Sequence, residues 1–106
     1  MTPTKYQIHF TVGFKRKFKQ ISKKNLTLKN SIKKTVHSLA EDPFQRTLRT
    51  HQVNTSKYGK VFSSSVSKDI RIIWDFQDKD MAILLLAIGG HSGSNKVYMH
   101  YLRITL

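Results

Sequence analysis

Two apolar runs, Ile70-Arg-Ile-Ile-Trp-Asp-Phe76 and Met81-Ala-Ile-Leu-Leu-Leu-Ala-Ile88, are separated only by Gln77-Asp-Lys-Asp80, and their reading decides the fold. The first is rich in Ile and aromatic residues, which suit a pleated, half-buried surface. The second is apolar at every position, the pattern of a strand covered on both faces and so central in its sheet. The spacer predicts a hairpin turn built without Gly. An antiparallel pair is therefore expected at the heart of the sheet.

Toward the N-terminus, Ser67-Lys-Asp69 reads as a turn, and Lys60 to Val66 is weakly strand-like because Ser63-Ser-Ser65 dilutes its propensity. Gln45 to Lys57 is polar, without a clear period, and reads mostly as loop. Before Pro43 the period becomes helical. Leu28, Ile32, Val36 and Leu39 form a stripe at steps of four and three, and Phe14, Phe18 and Ile21 form another. Asn25 and Thr27 offer a break and a cap between them. Asp42-Pro43 closes the second helix, because the residue before Pro is pushed out of the α region. The spacing predicts helices over 12–24 and 27–41. Tyr6, Ile8 and Phe10 alternate with polar neighbours, a half-buried strand. Beyond Ile88, Gly89-Gly90 ends the apolar run, and Val97 to Ile104 predicts a final edge strand. Helices first and a meander after them give an α+β class: two N-terminal helices packed on one face of an antiparallel-rich twisted sheet. At 106 residues, 1–106 form one domain.

Composition excludes several function classes. There is no Cys, so disulfides and thiolate metal sites are ruled out. No apolar run approaches the roughly 20 residues needed to span a bilayer, and the N-terminus lacks the apolar region of a secretory signal. A cytoplasmic protein with no membrane partner is the expectation. The formal net charge is +13, and residues 1–40 hold ten Lys or Arg and no Asp or Glu. No acid intervenes, so this face cannot neutralise itself, and a one-sign field favours a polyanion or an acidic protein. Lys15, Arg16, Lys17 and Lys19, with Lys57, Lys60 and Lys68, are the expected grips on an RNA backbone. Such contacts give affinity but read no sequence.

Five residues are candidates for chemistry. His51 lies in the polar stretch before the meander, Asp69 at the mouth of a strand, and Arg71 within it. His91 follows the Gly pair, and Tyr98 begins the last predicted strand. Cleavage of RNA by its own 2′-hydroxyl needs a base, an acid for the leaving 5′-oxygen, and a cation for the crowded phosphorane. His can serve both proton roles near neutrality. Arg presents a fixed fork of donors to phosphate oxygens, and Tyr can stack on a base. Each has a plainer reading: Asp69 as a turn residue or a salt-bridge partner of Arg71, Tyr98 as edge packing, either His as a surface residue. Arg71 interrupts an apolar strand, and the Gly pair before His91 permits close backbone approach; both features favour function. No Gly-x-Ser-x-Gly elbow and no phosphate-cradling Gly motif is present. No metal or other cofactor is expected.

Read in order, Asp42-Pro-Phe44, Leu48, Thr50-His51, Ser65-Val66, Asp69-Ile-Arg-Ile-Ile-Trp74, Ala82-Ile-Leu-Leu-Leu86, Ile88-Gly-Gly-His91 and Val97-Tyr98 resemble the RelE/ParE superfamily of type II toxin–antitoxin toxins, in particular its RelE and YafQ branch. The resemblance covers roughly residues 5 to 100. It implies two N-terminal helices over a twisted sheet. It implies metal-independent cleavage of mRNA on the ribosome, leaving a 2′,3′-cyclic phosphate and a 5′-hydroxyl. It places Arg71 on the phosphate, His51, Asp69 and His91 in acid–base work, and Tyr98 at the substrate. It also implies a cognate acidic antitoxin as partner, beside ribosomal RNA and mRNA. The chain departs from the family where RelE carries two strand lysines and this strand reads Val61-Phe-Ser-Ser-Ser65. It departs again at Gln52-Val-Asn-Thr55 and in the longer Gly90-His-Ser-Gly-Ser-Asn-Lys96. ParE-type members, which poison DNA gyrase, and a non-catalytic binding module are the rival readings. The pair His51 and His91 favours a nuclease over both.

Overall fold

Thr11 starts the first helix by closing off its orphan amides: its hydroxyl oxygen accepts from the Phe14 N–H at 3.0 Å. The same hydroxyl donates to the Leu86 carbonyl at 3.1 Å, which ties the helix start to the sheet. Helix α1 runs Val12–Ser22. Asn25 caps α2, Leu26–Glu41, by accepting from the Leu28 N–H at 3.0 Å. That helix stops at Asp42, whose N–H bonds back to Ser38 and whose successor is Pro43. Both helices match the predicted spans to within two residues. The computed structural model describes residues 5–90, so the edge strand expected at Val97–Ile104 lies outside the described residues.

The strands are β1 Gln7–Phe10, β2 His51–Thr55, β3 Gly59–Ser65, β4 Ile70–Gln77 and β5 Ala82–Gly90, with a 3₁₀ turn at Arg46–Leu48. They lie in the order β1-β5-β4-β3-β2. Only β1 runs parallel to its neighbour; β2 to β5 form an antiparallel meander. The sheet is thus antiparallel-rich, as expected. β5 is interior, but β4 takes the middle place.

Three local readings need correction. The stretch 45–57 is not mostly loop: it holds the 3₁₀ turn and β2. Val53 is its one apolar strand residue, so the strand comes from pairing with β3 rather than from propensity. Gly89 and Gly90 do not lie past β5; they belong to it and pair with Arg71 and Ile70. Met81 does not belong to β5 but to the turn, and it is exposed. That turn works without Gly because Asp78, Lys79 and Asp80 all take left-handed backbone, with φ of 54°, 55° and 67°.

Strand alternation divides the side chains between two faces. Between helices and sheet, Phe14 of α1 and Ile32 and Leu39 of α2 meet Ile72, Trp74, Ile83, Leu85 and Ile88 in the main core. Trp74 is fully buried and stacks on Phe62, ring centres 4.8 Å apart. The opposite face carries a smaller cluster of Val61, Ile73, Leu86 and Ala87, flanked by Val53, Tyr58 and Leu84. The register shifts between Ile73 and Trp74, with Leu86 of β5 as the extra residue. Among the described residues no helix is long and apolar enough to cross a membrane.

Candidate functional site

The meander brings two of the predicted residues together. His51 pairs with Ser63 across β2 and β3, and Ser63 pairs with Ile73 across β3 and β4. Arg71, two residues before Ile73, therefore sits diagonal to Ser63 on the face away from the helices. A diagonal neighbour is about 7–8 Å away, within reach of a long side chain. Arg71 spans it. Its Nε donates to Ser63 Oγ at 2.8 Å and its NH2 to the Ser63 carbonyl at 3.3 Å. NH2 also donates to the Arg49 carbonyl at 3.1 Å and lies 3.4 Å from His51 Nδ1.

The Arg49 carbonyl is there because Arg49 takes left-handed backbone, φ 49° and ψ 43°, just past the 3₁₀ turn. Few non-Gly residues adopt this conformation, and it turns the chain sharply. The next residue, Thr50, is held from the core side. Trp74 Nε1 donates to Ser64 Oγ at 2.8 Å, and Ser64 donates to Thr50 Oγ1 at 2.6 Å. The Thr50 hydroxyl then donates to the Pro43 carbonyl. Ser64 and Thr50 each accept one bond and donate the next, so both hydroxyls are satisfied. The relay anchors the Arg49–His51 segment to the main core.

His51 Nδ1 also lies 3.2 Å from the Arg49 carbonyl. A guanidinium only donates and a carbonyl only accepts, so Nδ1 can serve one of these neighbours at a time. With Nδ1–H on the carbonyl, Nε2 keeps a lone pair and can take a proton. With Nδ1 accepting from Arg71, the neutral ring carries its hydrogen on Nε2 and has no lone pair there. The ring can act as a base at Nε2 only while Nδ1–H faces the carbonyl.

The other predicted residues fall as follows. Asp69 is exposed, in the turn before β4 rather than in the strand, and its N–H donates to Ser67 Oγ at 3.4 Å. Lys68 shares that turn. Lys57 lies in the β2–β3 turn, its ammonium 5.3 Å from the Tyr58 ring centre, and Lys60 is exposed on β3. Lys15, Arg16, Lys17 and Lys19 lie on α1, across the sheet from Arg71, so they and Arg71 meet different parts of any bound chain. His91 and Tyr98 lie outside the described residues. Ser63 and the Arg49 carbonyl were not singled out from the sequence. The available signal was the polar run Ser63-Ser-Ser65 in a strand that has to be buried. Gly89, opposite Arg71 in β5, puts no side chain beside the guanidinium.

No protein-family model and no curated protein matches the sequence. Solved structures do match the fold. A YoeB/ParE toxin from Agrobacterium tumefaciens superposes with a TM-score of 0.68 at 8% identity, over 81% of this chain and 99% of that one. The archaeal RelE–RelB complex from Pyrococcus horikoshii gives 0.65 at 12%, over 85% and 99%. YafQ from E. coli gives 0.59 at 18%, over 80% and 92%. The RelE-like fold implied by the sequence resemblance is the fold of this chain.

Proposed function

We propose that this chain is the toxin of a type II toxin–antitoxin system and that it cleaves mRNA on the ribosome through the substrate's own 2′-hydroxyl. The observation that carries the reading is the 3.4 Å approach of Arg71 NH2 to His51 Nδ1 on the face of the sheet away from the helices. It sets a proton-transfer group beside a cation, which a purely adhesive surface does not need.

In the proposed reaction His51 Nε2 takes the proton of the 2′-hydroxyl, and the 2′-oxygen bonds to the adjacent phosphorus. Negative charge builds on the non-bridging oxygens, where Arg71 stabilises it. The bond from phosphorus to the 5′-oxygen then breaks, and that oxygen needs a proton. His91, the residue after Gly90, is the proposed donor; Gly89 pairs with Arg71, so the residues just before His91 in sequence lie beside Arg71 in the sheet. The products are a 2′,3′-cyclic phosphate and a 5′-hydroxyl. Asp69 is proposed to orient an imidazole or to serve as the base itself, and Tyr98 to stack on a substrate base. The basic residues of α1, with Lys57, Lys60 and Lys68, are proposed to hold rRNA and mRNA backbone. The proposed protein partner is an acidic antitoxin. This rests on the excess of positive charge and on fold neighbours solved with a protein partner, the RelE–RelB complex and the DinJ–YafQ toxin–antitoxin complex.

Brief expression followed by mapping of mRNA 5′-ends tests the reading. New in-frame ends on translated messages are expected. Unchanged messages with broken DNA would overturn it in favour of gyrase poisoning.

A further inference from the structure

Ser63 is completely buried on the face whose other strand-centre positions are Val53, Val61 and Ile73. An Ala or Val would pack there as well, and a buried hydroxyl is costly unless it is bonded. The bond it makes is to Arg71 Nε, at 2.8 Å. The neighbouring acceptor, the Arg49 carbonyl, stands in place through a left-handed backbone that a non-Gly residue rarely takes. Two unfavourable local choices, from separate segments of the chain, thus converge on one guanidinium.

We infer that Ser63 is a positioning residue: its hydroxyl and carbonyl, with the Arg49 carbonyl, form a cradle that fixes the plane and direction of the Arg71 guanidinium. The inference rests on the proposed function for its consequence but not for its geometry. The three acceptors are neutral, so they orient the cation without themselves cancelling its charge. A guanidinium of fixed direction also has less freedom to lose when it engages phosphate oxygens. The grip on Nε is specific to arginine. A lysine at 71 could carry the charge but has no second nitrogen to divide between Ser63 Oγ and the Arg49 carbonyl.

The test uses Ser63→Ala, a change that removes one oxygen from a buried strand position and leaves its volume nearly filled. Two quantities are read in the full chain. The first is hydrogen exchange at the Arg71 Nε–H, followed by NMR in the free protein, which needs no ribosome and no substrate. The second is single-turnover cleavage of a short mRNA on programmed ribosomes, as maximal rate and half-saturating concentration separately. Ser63→Ala is expected to speed Nε–H exchange at least tenfold. It is also expected to lower the maximal rate about tenfold to a hundredfold, the cost of a misaimed group, with half-saturation unchanged. Arg71→Lys should lose the rate as fully as Arg71→Ala. Exchange as slow in Ser63→Ala as in the parent overturns the cradle. Faster exchange with an unchanged maximal rate, or a shift confined to half-saturation, overturns the positioning role. If the parent chain itself cleaves no mRNA, the proposed function fails, and the exchange measurement still decides the cradle.

Discussion

On the helix-covered face of the sheet, Ile72, Trp74, Ile83 and Leu85 are sealed under α1 and α2, and the polar atoms among them close into a relay from Trp74 through Ser64 and Thr50 to Pro43. On the opposite face Ser63 is just as buried, yet the Arg71 it holds is only half-buried and His51 beside it is exposed. The first face turns its polar groups on each other. The second aims them outward. Consecutive residues of β4 alternate between the two, so one strand carries both the stability of the fold and the charge of the candidate site. The difference predicts that substitutions one residue apart on β4 will have effects of different kinds.

Trp74→Ala should have the largest effect on stability. Removing a fully buried aromatic costs about 3–5 kcal/mol, and here it also leaves Ser64 and Thr50 without the donor that heads their relay. Chemical denaturation should show that destabilisation, and any drop in cleavage should follow unfolding rather than precede it. A Trp74→Ala protein as stable as the parent would mean that the covered face does not hold the fold as described.

A second test separates the site from the basic surface on α1. Changing Lys15, Lys17 and Lys19 together to Gln should weaken RNA binding and flatten its salt dependence, by up to about 0.7–0.9 in the log–log slope for each phosphate that is no longer neutralised. The position of cleavage should not move, because these residues lie across the sheet from Arg71. A changed cleavage site with an unchanged slope would assign them to readout instead of grip.

The smallest effect is expected far from either site, in the β4–β5 turn. Lys79 takes left-handed backbone at φ 55°, where a non-Gly residue other than Asn or Asp is strained. Lys79→Gly should raise stability by up to about 1 kcal/mol, the size of typical backbone-conformation effects, with cleavage unchanged. A lower melting temperature would show that the turn conformation is not under strain.

Much of the covered face could be read in the sequence, because its signals are periodic. The stripes Phe14, Phe18 and Leu28, Ile32, Val36, Leu39 revealed both helices, and the Ile- and Leu-rich runs revealed β4 and β5. β2 could not be read this way. With Val53 as its lone apolar strand residue, it exists through its hydrogen bonds to β3, and pairing over distance leaves no periodic trace. The parallel direction of β1 was illegible for the same reason. The site was legible as residue types and not as an arrangement. His51 and Arg71 stood out singly, while their meeting depends on the registers of two strand pairs. Ser63 was read as a weakness of its strand, because a propensity scale penalises the polar atom that the structure uses to hold Arg71. An Arg49 carbonyl turned by backbone conformation has no side-chain signature at all.

The central claim is that the face of β2 to β4 away from the helices is a site of RNA chemistry and not of adhesion. It is tested most directly by Arg71→Ala, alone and combined with His51→Ala, in single-turnover cleavage of mRNA on programmed ribosomes, with thermal unfolding measured on the same samples. Removing the cation proposed to stabilise the phosphate should lower the rate about 10²–10³-fold. Groups that act as one unit should give a double variant little slower than the worse single one, and the melting temperature should stay near that of the parent. Cleavage at the parental rate by folded Arg71→Ala would contradict the account.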